Sequence, residues 1–89
     1  MTSLTPIGII SSPDALGEAI RQRRKALGLT QTDAALSCGV GLRFLSELER
    51  GKPSVRLDKV LRILQGLGLE LTLMARTGSG PEPDPSEPS

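Results

Sequence analysis

The fold of this chain is decided by residues 29–52, which read LTQTDAALSCGVGLRFLSELERGK. Thr30 can cap a helix that begins at Gln31, because threonine is one of the preferred N-cap residues. Gly39 suits the left-handed position that follows the last turn of a helix. The sequence therefore predicts a short helix that ends near Cys38 and is followed by a tight turn.

A second short helix is predicted after this turn, from Leu42 to Arg50. Leu45 and Leu48 share one face of it, while its polar side chains recur at a spacing of three and four residues on the opposite face. Gly51 then ends the helix. Two short helices joined by a glycine-containing turn are the arrangement with which small proteins place a helix in the DNA major groove.

Residues 13–68 resemble the helix-turn-helix family of the phage Cro and repressor proteins and their bacterial Xre-like relatives. The family motif has a small residue in its first helix, which Ala35 matches, and a turn glycine, which Gly39 matches. It also has buried aliphatic residues in its second helix, which Leu45 and Leu48 match. The resemblance implies a mainly α fold, a four- to five-helix domain of the Cro/cI type.

In such a domain the second motif helix reads the DNA bases, and we expect Gly41, Leu42, Arg43 and Glu47 to face them. Arg43 can donate to guanine O6 and N7, Glu47 can accept from a cytosine amine, and Leu42 can touch a thymine methyl group. Two alternatives stay open. Arg43 and Glu47 could form a surface ion pair of little energetic value, and Gly41 could serve only to start the helix.

Phosphate contacts are expected from the start of the first motif helix and from the cations in and after the second. Helix N-termini and basic side chains both bind phosphate oxygens. The expected residues are Thr30, Gln31, Arg50, Lys52 and Arg56. The resemblance also implies a structural ion pair between Arg24 and Glu49, so neither of these two residues is counted as a DNA contact.

The net charge of +1 divides unevenly along the chain. Residues 1–76 hold 11 basic and 7 acidic side chains, which gives +4, whereas residues 77–89 hold three acidic and no basic side chains, which gives −3. The predicted folded part is therefore the basic part. Because its basic residues overlap the motif, phosphate binding is favoured over a merely solvated basic face.

The composition argues against an enzyme, a metal centre and a membrane protein. The chain has no histidine and a single cysteine, Cys38, which we expect to be a small buried hydrophobe. We expect no catalytic residue, no metal and no cofactor. No apolar run approaches the roughly 20 residues of a membrane span, and the N-terminus lacks a basic signal region, so a cytoplasmic location is expected.

A further helix is predicted over residues 57–67, with two apolar stripes. The first stripe is Leu57, Leu61 and Leu64, and the second is Val60, Ile63 and Leu67. One stripe would suffice for one core, so we expect part of the helix to meet a second copy of the chain. The alternative is a helix that is simply well buried.

Residues 69–76 alternate between apolar and polar side chains, which predicts a half-buried strand. A lone strand needs a partner for its backbone donors and acceptors, and the same strand of a second subunit can supply it in antiparallel pairing. The expected homodimer interface consists of Val60, Ile63, Leu67, Leu69, Leu71 and Leu73.

With this strand included, residues 7–76 resemble the antitoxins of HipA–HipB toxin–antitoxin pairs. The resemblance implies a homodimeric transcriptional repressor that binds a palindromic operator of its own operon and a HipA-like serine/threonine kinase toxin. A stand-alone phage-type repressor without a toxin partner is the alternative.

The two ends of the chain lie outside this core. Residues 1–12 are predicted to form an N-terminal arm, which could add a short strand or pack over a subunit boundary. Residues 77–89 contain four prolines and no large apolar side chain, which predicts a disordered acidic tail. The resemblance adds a possible role for this tail as a protease handle or toxin contact. The predicted order is therefore an arm at 1–12, the helix-turn-helix domain at 13–68, a dimerisation strand at 69–76 and the tail.

Overall fold

The computed structural model describes residues 6–76, which contain four helices. They are α1 (Pro13–Ala26), α2 (Gln31–Cys38), α3 (Leu42–Glu49) and α4 (Leu57–Gly66). The prediction of a mainly α domain of four to five helices is confirmed with four, and no fifth helix occurs in this range. None of the four helices is long and apolar enough to cross a lipid bilayer. The predicted tail and the first five residues of the arm lie outside the described residues.

The local signals in the sequence set the helix boundaries. Ser12 caps α1 by accepting a hydrogen bond from the Ala15 amide, and Thr30 caps α2 by accepting one from the Asp33 amide, each at 3.1 Å. Gly39 follows α2 with φ +70°, a conformation that costs glycine little. The predicted caps and the predicted left-handed turn are therefore confirmed.

Helices α1 and α3 cross closely at Gly17. A Cβ atom placed on Gly17 would lie 2.9 Å from the Glu49 carbonyl oxygen and still closer to that of Leu48. The side chain is absent where the backbone of α3 needs the space, so this glycine sets the distance between the two helices.

Helices α2 and α4 meet in a similar way at Gly66, where an added Cβ atom would collide with the Cys38 sulfur. Cys38 is buried, and burial raises the pKa of its thiol. Its Sγ atom lies 3.7 Å from the Ile63 carbonyl oxygen. The residue therefore behaves as the predicted small buried hydrophobe.

The core is aliphatic and draws on all four helices. Its buried residues are Ile20, Ala34, Ala35, Cys38, Leu45, Leu48, Val60, Ile63, Leu64 and Leu67. Phe44, the single aromatic residue of the chain, is only half-buried, and the Lys59 ammonium lies 5.4 Å from its ring centre.

The structure corrects the expected role of one stripe of α4. Val60, Ile63 and Leu67 are 3%, 0% and 1% exposed, so they fill the core of the single chain and have no exposed surface to offer a second copy. The physical reason lies in α2, which contributes only small side chains to the core, so α4 has to fill it with a wide apolar arc. Leu57 and Leu61, on the other stripe, are exposed instead.

The segment after α4 is anchored at its beginning and exposed further on. The Leu69 amide donates to the Leu64 carbonyl at 2.7 Å, and the Leu69 side chain packs against the core. Leu71 and Leu73, in contrast, are largely exposed. Residues 69–76 form no strand in the single chain, so the predicted strand and its pairing remain predictions.

The contact between Gly66 and Cys38 predicts that the cost of one substitution depends on the residue at position 38. Gly66→Ala should lower the free energy of unfolding by about 1 to 3 kcal/mol, because the new methyl group overpacks the Cys38 sulfur. In a Cys38→Ala background the same change should cost less, since the sulfur is gone and alanine favours the helix, while the Cβ and Cα atoms of residue 38 still lie 3.2 and 3.3 Å from the new methyl group. Urea unfolding of the four variants measures this coupling. An equal cost in both backgrounds would contradict the packing described for this helix pair.

Candidate nucleic-acid interface

Helix α3 presents a polar face to solvent and an apolar face to the core. Leu45 and Leu48 are buried, whereas Leu42 is 47% exposed and the Arg43 side chain is 93% exposed. Gly41 is the N-cap residue of α3 and provides no side-chain hydrogen bond to its amides. The first amides of α3 and the side chains around them are therefore available to an external partner.

A buried ion pair fixes the orientation of α3. Arg24 Nε lies 2.7 Å from Glu49 Oε2, and Arg24 Nη2 lies 2.9 Å from Glu49 Oε1, so the pair is bidentate. Arg24 also donates to the Leu29 carbonyl at 2.8 Å, and Gln31 donates to Glu49 Oε1 at 3.1 Å. Through these contacts α1, the start of α2 and the end of α3 are held as one unit.

Both partners of this pair are charged at neutral pH. Burial by itself raises the pKa of the Glu49 carboxyl group, but hydrogen bonds from Arg24 and Gln31 and the charges of Arg24 and Arg21 outweigh it. The pKa of Glu49 therefore lies below its ordinary value of 4.5. The hydrogen bond with Glu49 in turn raises the pKa of the Arg24 guanidinium.

A second carboxylate of α3, Glu47, lies at the surface between two cations. Arg43 Nε is 3.1 Å from Glu47 Oε1, and Lys52 Nζ is 2.8 Å from Glu47 Oε2. Hydrogen bonds from Lys52 and then from Arg43 hold the pKa of Glu47 below its ordinary value. The surface ion pair between Arg43 and Glu47 is thus present in the free chain, and base contact by either residue remains a prediction.

The five residues expected to contact phosphate lie at three places. At the start of α2, the Thr30 hydroxyl caps the helix and the Gln31 amide group contacts Glu49. Arg50 and Lys52 border a shallow depression after α3, together with Glu47, Gly51 and Pro53. The fifth residue, Arg56, forms a two-point contact with Asp58 at 3.1 and 2.7 Å.

The sequence pattern missed two contacts at this surface. The bond between Gln31 and Glu49 joins residues 18 positions apart, and no local spacing indicates such a contact. The bond between Lys52 and Glu47 depends on the turn at Gly51, where the Lys52 amide also donates to the Glu47 carbonyl at 3.1 Å. The sequence signal for this turn is Gly51 near the end of the helix, followed by Lys52.

The chain shares these features with known proteins. Residues 20–74 match the family model described as helix-turn-helix. An uncharacterised HTH-type transcriptional regulator, y4mF of Sinorhizobium fredii, is 42% identical over 66 residues, which cover 74% of this chain and 87% of that protein. Antitoxin HipB of Escherichia coli K12 is 32% identical over 73 residues, which cover 82% of this chain and 83% of HipB.

The fold is similar to that of a chain in a solved HipA-HipB-O2-O3 complex. The TM-score is 0.71 at 30% sequence identity, and the match covers 78% of this chain and 97% of that chain. The sequence comparison and the structural comparison therefore both find similarity to proteins of HipB systems.

The buried ion pair predicts an acid-sensitive stability. Because the pKa of Glu49 is lowered in the folded chain, its stabilising contribution is fully present above about pH 4.5 and is lost as the pH falls through the folded-state pKa. Glu49→Gln should lower the free energy of unfolding by about 3 kcal/mol at pH 7, since it leaves the Arg24 charge unpaired. Urea unfolding between pH 7 and pH 3 should show this difference shrinking as the pH falls.

Glu18→Gln is the matched control, because Glu18 lies on the exposed face of α1 and contacts Arg21 and Gln22 there. We expect it to change the free energy of unfolding by less than about 0.5 kcal/mol at any pH. A difference between the original chain and the Glu49→Gln variant that stays constant with pH would contradict the assigned role of Glu49.

Proposed function

The chain belongs to the helix-turn-helix family and is a DNA-binding regulator related to antitoxin HipB, and on this premise we propose that it represses its own operon as an antitoxin. The proposal rests on the fixed position of α3 and on the exposure of its polar face. Its buried leucines and the ion pair of Glu49 fix the helix, while the Arg43 side chain is almost completely exposed. A rigid helix with an exposed polar face is what major-groove recognition requires.

In the proposed complex α3 enters the major groove with its N-terminal end. Gly41 lets the backbone approach the bases, Leu42 touches a thymine methyl group, and Arg43 donates to guanine O6 and N7. Glu47 accepts from a cytosine amine. The exposure of Leu42 and Arg43 supports this assignment.

Phosphates on either side of the groove hold the domain in register. Thr30 and Gln31 stand at the N-terminus of α2, where backbone amides favour an anion. Arg50, Lys52 and Arg56 supply cations after α3. The charge of +4 on residues 1–76 supports this role, because phosphate contacts supply most of the non-specific affinity for DNA.

A homodimer would place two copies of α3 on one face of the DNA. Leu71 and Leu73 lie exposed on a segment that begins at the anchored Leu69. Pairing of residues 69–76 with the same segment of a second copy would cover these leucines and satisfy the backbone. Two-fold symmetry then predicts a palindromic operator with half-sites about 34 Å apart.

The proposed protein partner is a HipA-like serine/threonine kinase toxin. The likeness to antitoxin HipB and to a chain of the HipA-HipB-O2-O3 complex supports it. A stand-alone repressor is the second candidate, and the likeness to the y4mF regulator is compatible with it. Operator affinity measured with and without the product of an adjoining kinase gene separates the two, and the absence of such a gene favours the stand-alone repressor.

Replacement of Arg43 tests DNA reading by α3. Arg43→Ala should weaken binding to an operator selected from a random duplex library by about 1 to 3 kcal/mol and relax the preference at one base pair. Arg62→Ala is the control, since it removes one positive charge from α4 instead. An unchanged selected sequence for the Arg43 variant would overturn the assignment of this residue as a base contact.

Replacement of the exposed leucines tests the dimer. Leu71→Lys with Leu73→Lys should raise the dimer dissociation constant by at least about 100-fold, because two large apolar side chains lose their burial. Sedimentation of the full chain over a concentration series measures this constant. Met74→Lys is the control, because Met74 is about as exposed as Leu73 but falls on the other face of the proposed strand. A dimer that persists in the double variant would move the interface to Leu57 and Leu61.

A further inference from the structure

We propose that Glu47 is a specificity-determining residue that restrains Arg43 and Lys52 until the DNA bases offer its carboxylate a donor of their own. This inference rests on the proposed DNA-binding function of α3 and deepens it. From the sequence, Glu47 is expected to contact a base, with a surface ion pair to Arg43 as the alternative. In the structure its carboxylate forms ion pairs with both Arg43 and Lys52, two cations that are proposed to contact DNA.

The contacts of Glu47 show how the restraint works. Each carboxylate oxygen holds one cation, Oε1 the Arg43 guanidinium at 3.1 Å and Oε2 the Lys52 ammonium at 2.8 Å. The Glu47 side chain is only 22% exposed, while that of Arg43 is 93% exposed. The carboxylate therefore lies beneath the two cations, at the surface that meets the DNA.

The two cations reach Glu47 in different ways. The Lys52 amide donates to the Glu47 carbonyl at 3.1 Å across the turn at Gly51, so the backbone of Lys52 lies close to Glu47. Arg43 lies one helical turn before Glu47, and its side chain is 93% exposed, against 49% for that of Lys52. Both contacts with the carboxylate are made by side chains, so either cation can turn to another acceptor while its backbone stays in place.

On DNA of arbitrary sequence this arrangement opposes binding. A phosphate that attracts Arg43 or Lys52 competes with a carboxylate that already holds both. If the cations leave, an ionised Glu47 faces the negative groove without a donor, which is unfavourable. Arg50 borders the same depression and pairs with no carboxylate among residues 6–76, so it supplies attraction regardless of sequence.

On a matched site the same groups cooperate. A cytosine amine can donate to Glu47 while the neighbouring guanine accepts from Arg43. Both charged groups then exchange one partner for another, and Lys52 is released toward the phosphate backbone. The carboxylate thereby lowers the affinity for wrong sequences more than the affinity for the right one.

The test compares the full chain with its Glu47→Gln variant on two duplexes, the operator selected by the original chain and a scrambled duplex of equal length. Affinities are measured between 50 and 300 mM salt. We expect Glu47→Gln to bind the scrambled duplex about 10-fold more tightly at 100 mM salt, with a salt slope steeper by about 1 to 2, because the two freed cations now meet phosphates. The ratio of operator to scrambled affinity should fall by at least about 10-fold.

Asp58→Asn is the matched control, because Asp58 holds Arg56 in a comparable exposed pair outside α3. Freeing Arg56 should tighten binding to both duplexes by a similar factor and leave their ratio unchanged, as expected of a phosphate contact. Thermal unfolding of all variants establishes that each is folded at the temperature of the binding measurements.

An unchanged ratio for Glu47→Gln would overturn this inference while leaving the proposed function in place. A ratio that falls equally in Asp58→Asn would also overturn it, since any freed cation would then act alike. If the original chain prefers no sequence over the scrambled duplex, the proposed function fails, and the inference fails with it.

Discussion

The bidentate contact between Arg24 and Glu49 is the interaction on which the arrangement of the helices depends. It joins the end of α1 to the end of α3, and the additional bonds to Leu29 and Gln31 include the start of α2. No buried side-chain nitrogen or oxygen atom among the described residues lacks a hydrogen-bond partner. A buried pair is weak support for net stability, but its fork geometry allows few alternative arrangements. The pair therefore fixes the orientation of α3 relative to α1.

The close crossings at Gly17 and Gly66 make this specification possible. Gly17 lets α1 contact the backbone at the end of α3. Arg24 also lies on α1, so it reaches Glu49 across this close helix contact. Helix α2 contributes small side chains, which lets α4 lie near it and supply, with its C-cap residue Leu67, more buried core residues than any other helix. The position of α3 is thus set by residues that lie away from its exposed face.

The parts of the fold that depend on local signals could be predicted from the sequence. The caps at Ser12 and Thr30 and the turn at Gly39 depend on residues within three or four positions, so they were readable from the sequence. The burial of Val60 could not be predicted in this way. The width of the apolar arc of α4 shows how much of the helix is covered, but not whether the same chain or a second copy covers it. The contacts of Glu47 with Lys52 and of Glu49 with Gln31 depend on a turn and on helix packing, respectively, so spacing alone does not indicate them.

The two glutamates of α3 lie on different faces of one short helix and have different surroundings. Glu47 and Glu49 are two residues apart, so their side chains point about 200° apart around the helix. Both carry lowered pKa values caused partly by hydrogen bonds from basic partners, but Glu49 lies in the core and Glu47 at the surface. The side chains of Arg24 and Glu49 are 10% and 2% exposed, so an external ligand does not reach that pair. The partners of Glu47 lie at the surface, and in the proposed complex phosphate and base edges take them over. The same chemistry therefore holds the helix in place on one face and leaves an accessible ion pair on the other.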